Sequence, residues 1–181
     1  MVERERFPQI EVEVIENSRP RLITAVRNAV VDIAVVIVAA PLPECNSVSL
    51  WSERIMVGLL ESRPLANREF IYWTDLKEER VLLSRRDPGP ELEDLIVTKL
   101  LSPVDRPNIF LHDVSRGSLW NLVAAGFCIT LLTEATVGTN FVGVVYKDIR
   151  DTTEPTRIGY SALASFLRIL SERYPPPPTG T

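Results

Sequence analysis

The run Ile33-Ala34-Val35-Val36-Ile37-Val38 constrains the fold more than any other stretch of the chain. Six apolar residues in a row, most of them β-branched and opened by Asp32, suit a strand covered on both faces. Ahead of it, Ser18 stands where an N-cap belongs and Pro20 falls in a first turn that needs no N–H from it. Leu22, Ile23, Val26 and Val30 then recur at helical spacing, which predicts a short amphipathic helix. Earlier still, Ile10, Val12 and Val14 alternate with Glu11 and Glu13, predicting a strand over Ile10–Ile15 with one dry face. Strand, helix and strand within about 30 residues make a βαβ unit, expected to be parallel and right-handed.

The same grammar continues downstream. Arg54–Leu60 reads as a strand after the break at Pro41 and Pro43, Phe70–Trp73 as a short strand or turn, and Val81-Leu82-Leu83 as a brief apolar run. Leu92, Leu95, Ile96 and Leu100 mark a second helix from Glu91, with acids in its first turn where the macrodipole favours them. Ile109–Val114 is a strand, Ser115 an N-cap, Leu119, Leu122 and Val123 the buried stripe of a third helix, and Gly126 its C′ residue. Cys128–Leu132 follows as a strand and completes a second βαβ. Val142–Tyr146 and Arg157–Tyr160 are further strands, Leu163, Phe166, Leu167 and Leu170 a last helix, and Pro175–Pro178 a stiff tail. The chain leaves the first unit near Arg54 and returns near Lys147, so the expected architecture is α/β with two lobes, two crossover strands and a ligand cleft between them.

Composition removes several functions. The 181 residues can bury a core without disulfide or metal. A net charge of −4, with no basic run, suits DNA poorly. Cys45 and Cys128 are too far apart for a CxxC pair, which predicts a reducing cytoplasm, and the sole histidine, His112, rules out multi-histidine zinc sites. The longest charge-free run, Gly117 to Thr133, is too short to span a bilayer, and Met1–Arg6 has no apolar stretch of the kind a signal peptide carries. GxGxxG, GxxxxGK[ST] and GxSxG are absent from the sequence; Gly159-Tyr160-Ser161-Ala162-Leu163 lacks the second glycine of a nucleophile elbow. His112 and Asp113 are strand neighbours pointing to opposite faces, so the carboxylate cannot orient the imidazole. Cys128 enters an apolar strand without a base and reads as a small hydrophobe. No enzyme activity, cofactor or metal is expected.

What remains are donor-rich loops at helix starts: Ser18 and Arg19, Arg85 and Arg86, Ser115 and Arg116. Facing a cleft, exposed N–H groups and guanidinium groups would hold an anion such as a carboxylate. Alternatively, the serines merely cap helices and the arginines are solvated.

The stretch Ile15-Glu16-Asn17-Ser18-Arg19, with Leu22, Ala25-Val26 and Asp32-Ile33-Ala34, resembles the effector-binding domain of LysR-type transcriptional regulators. So do Glu53–Val57 with Pro64-Leu65-Ala66, the loop Pro88-Gly89-Pro90-Glu91, and Leu122–Phe127 leading into Ile129–Leu132. The likeness extends from about Phe7 to Tyr174. It implies two Rossmann-like lobes of the type 2 periplasmic-binding-protein kind: lobe I over 1–54 plus 150–174, lobe II over 55–149, and a proline-rich tail over 175–181. It also implies a homo-oligomeric, cytoplasmic transcription regulator with a small-molecule effector, possible anionic character included, held by Ser18, Arg19, His112, Asp113, Val114, Ser115, Phe127 and Cys128; the donor-rich loops add Arg85 and Arg86 as candidate ligand residues.

Departures from the family pattern accompany the likeness. The helix-turn-helix that touches DNA in the family has no counterpart in this chain, and neither do the domain's first strand and most of its first helix, so the first lobe is expected to be truncated. By family topology the missing strand lies between Ile10–Ile15 and Ile33–Val38, leaving bare edges there. Val30 and Cys128 stand where glycines are common, and Arg63 replaces a usual histidine. Two functions are therefore expected as rivals: an effector sensor, or a truncated regulator fragment acting only through oligomerisation with a full-length relative.

Overall fold

The computed structural model describes residues 8, 11–37, 46–86, 88–138 and 141–164. Among them lie three α-helices, α1 (Arg19–Arg27), α2 (Gly89–Lys99) and α3 (Arg116–Ala124). The strands are β1 (Ile33–Ile37), β2 (Asn46–Leu60), β3 (Ile71–Tyr72), β4 (Arg80–Ser84), β5 (Asn108–His112), β6 (Thr130–Thr133), β7 (Val144–Arg150) and β8 (Arg157–Ala164).

Strand β2 organises the molecule. It runs 15 residues, roughly 50 Å at strand rise. Its residues 46–54 pair antiparallel with β8, which pairs antiparallel with β1 on its other side. Residues 55–60 pair antiparallel with β6 and β7 instead. Beyond β6, Leu82 N donates to Ile129 O and Ile129 N to Arg80 O, each at 2.9 Å, and attach the parallel pair β4–β5. One strand thus belongs to two sheet regions. The switch falls where Ile55 N donates to Thr156 O (2.8 Å). Beside it, Arg54 sends Nε to Glu134 Oε2 (2.5 Å) and Nη1 to both oxygens of Asp148 (3.1 Å). Trp51 stacks on Tyr160 at 4.9 Å and donates to Glu53 Oε1 (2.9 Å).

The two regions are packed unequally. Ile55, Val57, Leu59, Ile71, Leu83, Ile96, Ile129 and Ile149 belong to one large core. Leu82, Leu119, Trp120, Val123, Cys128 and Leu132 form a second beneath α3. Among the described residues, the buried cluster under α1 is Val26, Ala34, Val36 and Leu163.

Three expectations fail at that end. Residues 11–18 form no strand, and Val12 (76%), Val14 (82%) and Ile15 (49%) lie exposed; Ile10 is outside the described residues. Alternation gives a strand a dry face only when a neighbouring strand and a layer beneath it exist, and among the described residues no strand pairs with 11–18. The first βαβ is therefore not formed, and β1 is antiparallel to its neighbour rather than parallel. Nor is β1 covered on both faces: Ile33 and Val35 are about half exposed. Smaller shifts follow from local geometry. Leu163 lies buried in β8 rather than opening a helix, Val142 precedes β7 in solvent, and the strand expected from Cys128 begins at Thr130. Phe166, Leu167, Leu170, Cys45 and the proline tail fall outside the described residues. The Arg54, Val81, Glu91, Ile109 and Ser115 elements form where the sequence pattern puts them, with shifted ends.

Helices α1 and α3 end alike. In α1, Val30 N donates to Ala25 O (2.9 Å) and Ala29 N to Val26 O (3.0 Å); in α3, Phe127 N donates to Leu122 O (3.1 Å) and Gly126 N to Val123 O (2.9 Å). Both are Schellman closures, which need a left-handed residue at C′. Gly126 (φ +76°) supplies it freely, while Ala29 (φ +54°) carries a Cβ into it, and Val30 is 74% exposed just beyond. Ala29→Gly is expected to stabilise the chain by about 1 kcal/mol, and Gly126→Ala to cost about 1–2 kcal/mol, in urea unfolding. The Arg54 hydrogen bond holds the Glu134 carboxyl below its ordinary range, against the opposing effect of burial. A depressed carboxyl stabilises the fold above its unfolded value, near pH 4, and that contribution goes as pH falls through the folded value. Acid titration of Arg54→Gln should therefore show a shallower loss of stability than the parent.

Candidate functional site

Parallel strands β4, β5 and β6 end on the same side of the molecule, and α2 and α3 both start there. In an open α/β sheet this is where ligands bind, because strand ends leave a crevice and helix starts turn N–H groups toward it. A cavity of about 320 Å³ occupies the position. Leu83, Leu92, Leu119 and Trp120 provide apolar wall; Ser84, Ser115, Thr130 and Thr136 provide hydroxyls; Arg86 and Arg116 bring positive charge. Glu16, from the segment before α1, also lines it.

Each wall has a local cause. Gly89 starts α2 so close to β4 that a Cβ there would lie 1.7 Å from Ser84 O, so only glycine brings the helix start against the strand end. Ser115 caps α3: its Oγ accepts from Ser118 N at 3.1 Å and meets Ser118 Oγ at 2.9 Å. Trp120 is fixed from beneath by Phe141 (5.2 Å, stacked) and Tyr146 (5.5 Å, edge-on). Thr130 is less available, since its hydroxyl donates to Leu82 O at 2.7 Å.

The two helix starts differ electrically. Helix α2 has Glu91 buried in its first turn, so its N-terminal partial charge is answered by its own carboxylate. Helix α3 has no acid in its first turn, and its Arg116 is exposed. The start of α3 is thus the one left without a carboxylate of its own helix, while Glu16 brings a carboxylate to the cavity from the segment before α1.

Of the residues expected to hold a ligand, Arg86, Val114 and Ser115 come together on this cavity. Arg86 is partly engaged, its Nε reaching Asp113 Oδ1 at 3.3 Å across an exposed pair. Arg85, His112 and Asp113 sit beside the cavity without lining it. Arg85 ties β4 to β5 through its N to His112 O (2.9 Å) and its Nε to Leu111 O (3.2 Å), and the His112 ring lies 6.3 Å from Phe110.

Ser18 and Arg19 diverge from the cavity as well. Ser18 stands at the N-cap of α1 but makes no side-chain cap bond. Arg19 lines a separate hollow of about 310 Å³ with Glu91, Lys99 and Arg157. Its Nη1 donates to Ile37 O (3.4 Å), and its Nε lies 4.0 Å from Glu91.

Phe127 and Cys128 do not line this cavity. They precede β6, and the chain reaches the cavity wall two residues after Cys128, at Thr130. Phe127 is 64% exposed and Cys128 is packed among Leu82, Leu119 and Trp120, while Arg63 Nη2 donates to Gly126 O at 2.7 Å. Burial pushes the Cys128 thiol up, against the pull of Arg63 and Arg80. Ser161 is in the middle of β8. Among the described residues no group of three or more His, Cys, Asp or Glu could hold a metal, and no helix is long and apolar enough to cross a membrane.

Sequence reasoning missed Gly89, Leu92, Trp120 and Thr136 as cavity residues. The glycine flanked by Pro88 and Pro90 was a legible sign of a tight strand-to-helix approach. Ser115→Ala is expected to cost about 1 kcal/mol of stability, read as a lower unfolding midpoint. Peptide-level alkylation should label Cys128 far more slowly in the native chain than in urea, because the reactive thiolate is suppressed by burial.

A model of the LysR substrate binding domain matches residues 4–174. The regulator TtuA of Agrobacterium vitis is 29% identical over 144 residues, covering 79% of this chain and 47% of that protein. GltC of Bacillus subtilis strain 168 is 26% identical over 137 residues, covering 74% and 44%. This chain thus spans about half the length of the curated relatives it matches. Among solved structures, the effector binding domain of a BenM variant superposes with TM-score 0.76 at 23% identity, covering 88% of this chain and 74% of that one. Oxidised OxyR superposes with TM-score 0.70 at 21% identity, covering 94% and 80%. The parallel β4–β5–β6 arrangement, the antiparallel crossovers and this match over nearly the whole sequence lead to one conclusion: the chain belongs to the LysR substrate-binding domain family.

Proposed function

We propose that this domain serves a LysR-type transcriptional regulator by sensing a small anionic metabolite in the cavity at the ends of β4, β5 and β6. The observation that carries the reading is the start of α3: a helix capped by Ser115, free of acids in its first turn, with Arg116 and Arg86 at the rim and an apolar wall of Leu83, Leu92 and Trp120. Charge-seeking donors over an apolar floor suit a compact carboxylate with a hydrocarbon body. The 320 Å³ volume lies at the small end of such sites. Lobe I (1–54 plus 150–174) and lobe II (55–149) would then shift relative to one another about the β2 and β7–β8 crossings. A ligand drives that shift only by binding one arrangement better than the other. DNA contact is assigned to a helix-turn-helix outside this chain, and the cytoplasm is the compartment such a regulator needs.

A solved BenM effector binding domain is described with benzoate as its effector, which makes benzoate a rational first probe. Calorimetric titration of benzoate and of succinate into the chain should give saturable heat for at least one, with a rise in unfolding temperature. Arg116→Gln, an exposed change, should weaken that binding about tenfold, as loss of a charge-assisted hydrogen bond does. Absence of heat and of thermal shift for both, or binding indifferent to Arg116→Gln, would remove the reading. The rival, a regulator fragment acting only through oligomers with a full-length relative, draws support from the half-exposed Ile33 and Val35 of β1. It predicts mass changes on mixing with that relative and none on adding acids.

A further inference from the structure

We propose that the ligand of the cavity at the ends of β4, β5 and β6 is an amino acid, its carboxylate held at Arg116 and its ammonium at Glu16. The inference rests on the reading above that this cavity takes a carboxylate, and it adds a second charge to the ligand. What points to it is a pair of opposite charges that share one cavity without meeting. Arg116, exposed at the start of α3, and Glu16, exposed on the segment before α1, both line it. Among the described residues neither takes part in an ion pair, with the other or with a third group. Arg86, the other cation of the wall, is already answered by Asp113 at 3.3 Å.

A simple acid satisfies only one of the two open charges. Its carboxylate gains at Arg116 and is repelled by Glu16, which carries the same sign. An amino acid satisfies both: its ammonium donates N–H bonds to the Glu16 carboxylate, and its carboxylate accepts from the Arg116 guanidinium. The hydrocarbon body then lies on the apolar wall of Leu83, Leu92 and Trp120, and about 320 Å³ admits a side chain of leucine's size. A site built around a particular polar group rejects the analogue that lacks it, because the protein's own group is left unanswered. Glu16 is therefore the residue that separates amino acids from plain carboxylic acids. The two charges come from separate stretches of chain, one ahead of α1 and one after β5, so a single ligand holding both ties those stretches together.

Calorimetric titration of the full chain tests this with two matched pairs, L-leucine against 4-methylpentanoate and 6-aminohexanoate against hexanoate. Each pair differs by the ammonium alone; leucine carries its two charges side by side, and 6-aminohexanoate carries them at opposite ends. In at least one pair the amine-bearing member should bind about tenfold more tightly than its partner, as one added charge-assisted hydrogen bond allows. Glu16→Gln should erase that preference and Glu16→Lys should reverse it, with unfolding midpoints close to the parent's because Glu16 is exposed. Equal or weaker binding of the amine-bearing member in both pairs would overturn the assignment; if hexanoate, benzoate or succinate binds all the same, the carboxylate reading stands without it. Heat from none of these compounds would overturn both. A preference that survives Glu16→Gln, or a loss shared equally by both members of a pair, would also overturn the assignment, the latter leaving Glu16 a structural part only.

Discussion

Strand β2 is shared by two sheet regions, and almost everything else in the molecule is arranged by that fact. Its first part is held by β8, its second by β6 and β7, and the exchange of partners is complete within the few residues around Glu53–Ile55. Residues 46–54 of β2 are paired along one edge, with β8, and residues 56–58 along both, with β6 and β7. The Arg54 contacts with Glu134 and Asp148 sit at that exchange and join three elements that no local sequence pattern connects. Such partly exposed ion pairs add little stability singly.

The cavity follows from the same layout. With β4, β5 and β6 parallel and fed by short connections, α2 and α3 must begin at one rim, and only the second is left without a compensating acid in its first turn. The two helix starts at the cavity are thus unlike, with Arg116 at one and Gly89 at the other. Trp120 closes the floor because Phe141 and Tyr146 leave its ring no alternative.

Sequence patterns were legible where a residue acts on its immediate neighbours. Ser115 caps α3 and Gly126 closes it, as short-range rules require. They failed where the outcome depends on a distant partner. The alternation from Ile10 to Ile15 is a sound strand pattern, yet Val12, Val14 and Ile15 lie exposed, with no strand paired to them among the described residues. Family likeness points to Phe127 and Cys128, and the fold sets them just before Thr130, the first cavity residue of β6, without either lining the cavity. Arg19 was grouped with Ser115 because both begin helices; the fold gives the arginine a different hollow beside Glu91. Helix starts are readable from sequence, whereas which of them share a crevice is decided by sheet order.

The three tryptophans divide this architecture among themselves. Trp73 is buried in the large core with its indole nitrogen on Thr156 Oγ1 (3.0 Å), and Trp120 lies under the cavity. Trp51, 47% exposed and stacked on Tyr160, stands beside the place where β2 changes partners. Their emission is consequently a built-in optical gauge: red-shifted light accessible to a soluble quencher reports the crossing, and blue-shifted protected light reports the interior and the cavity floor.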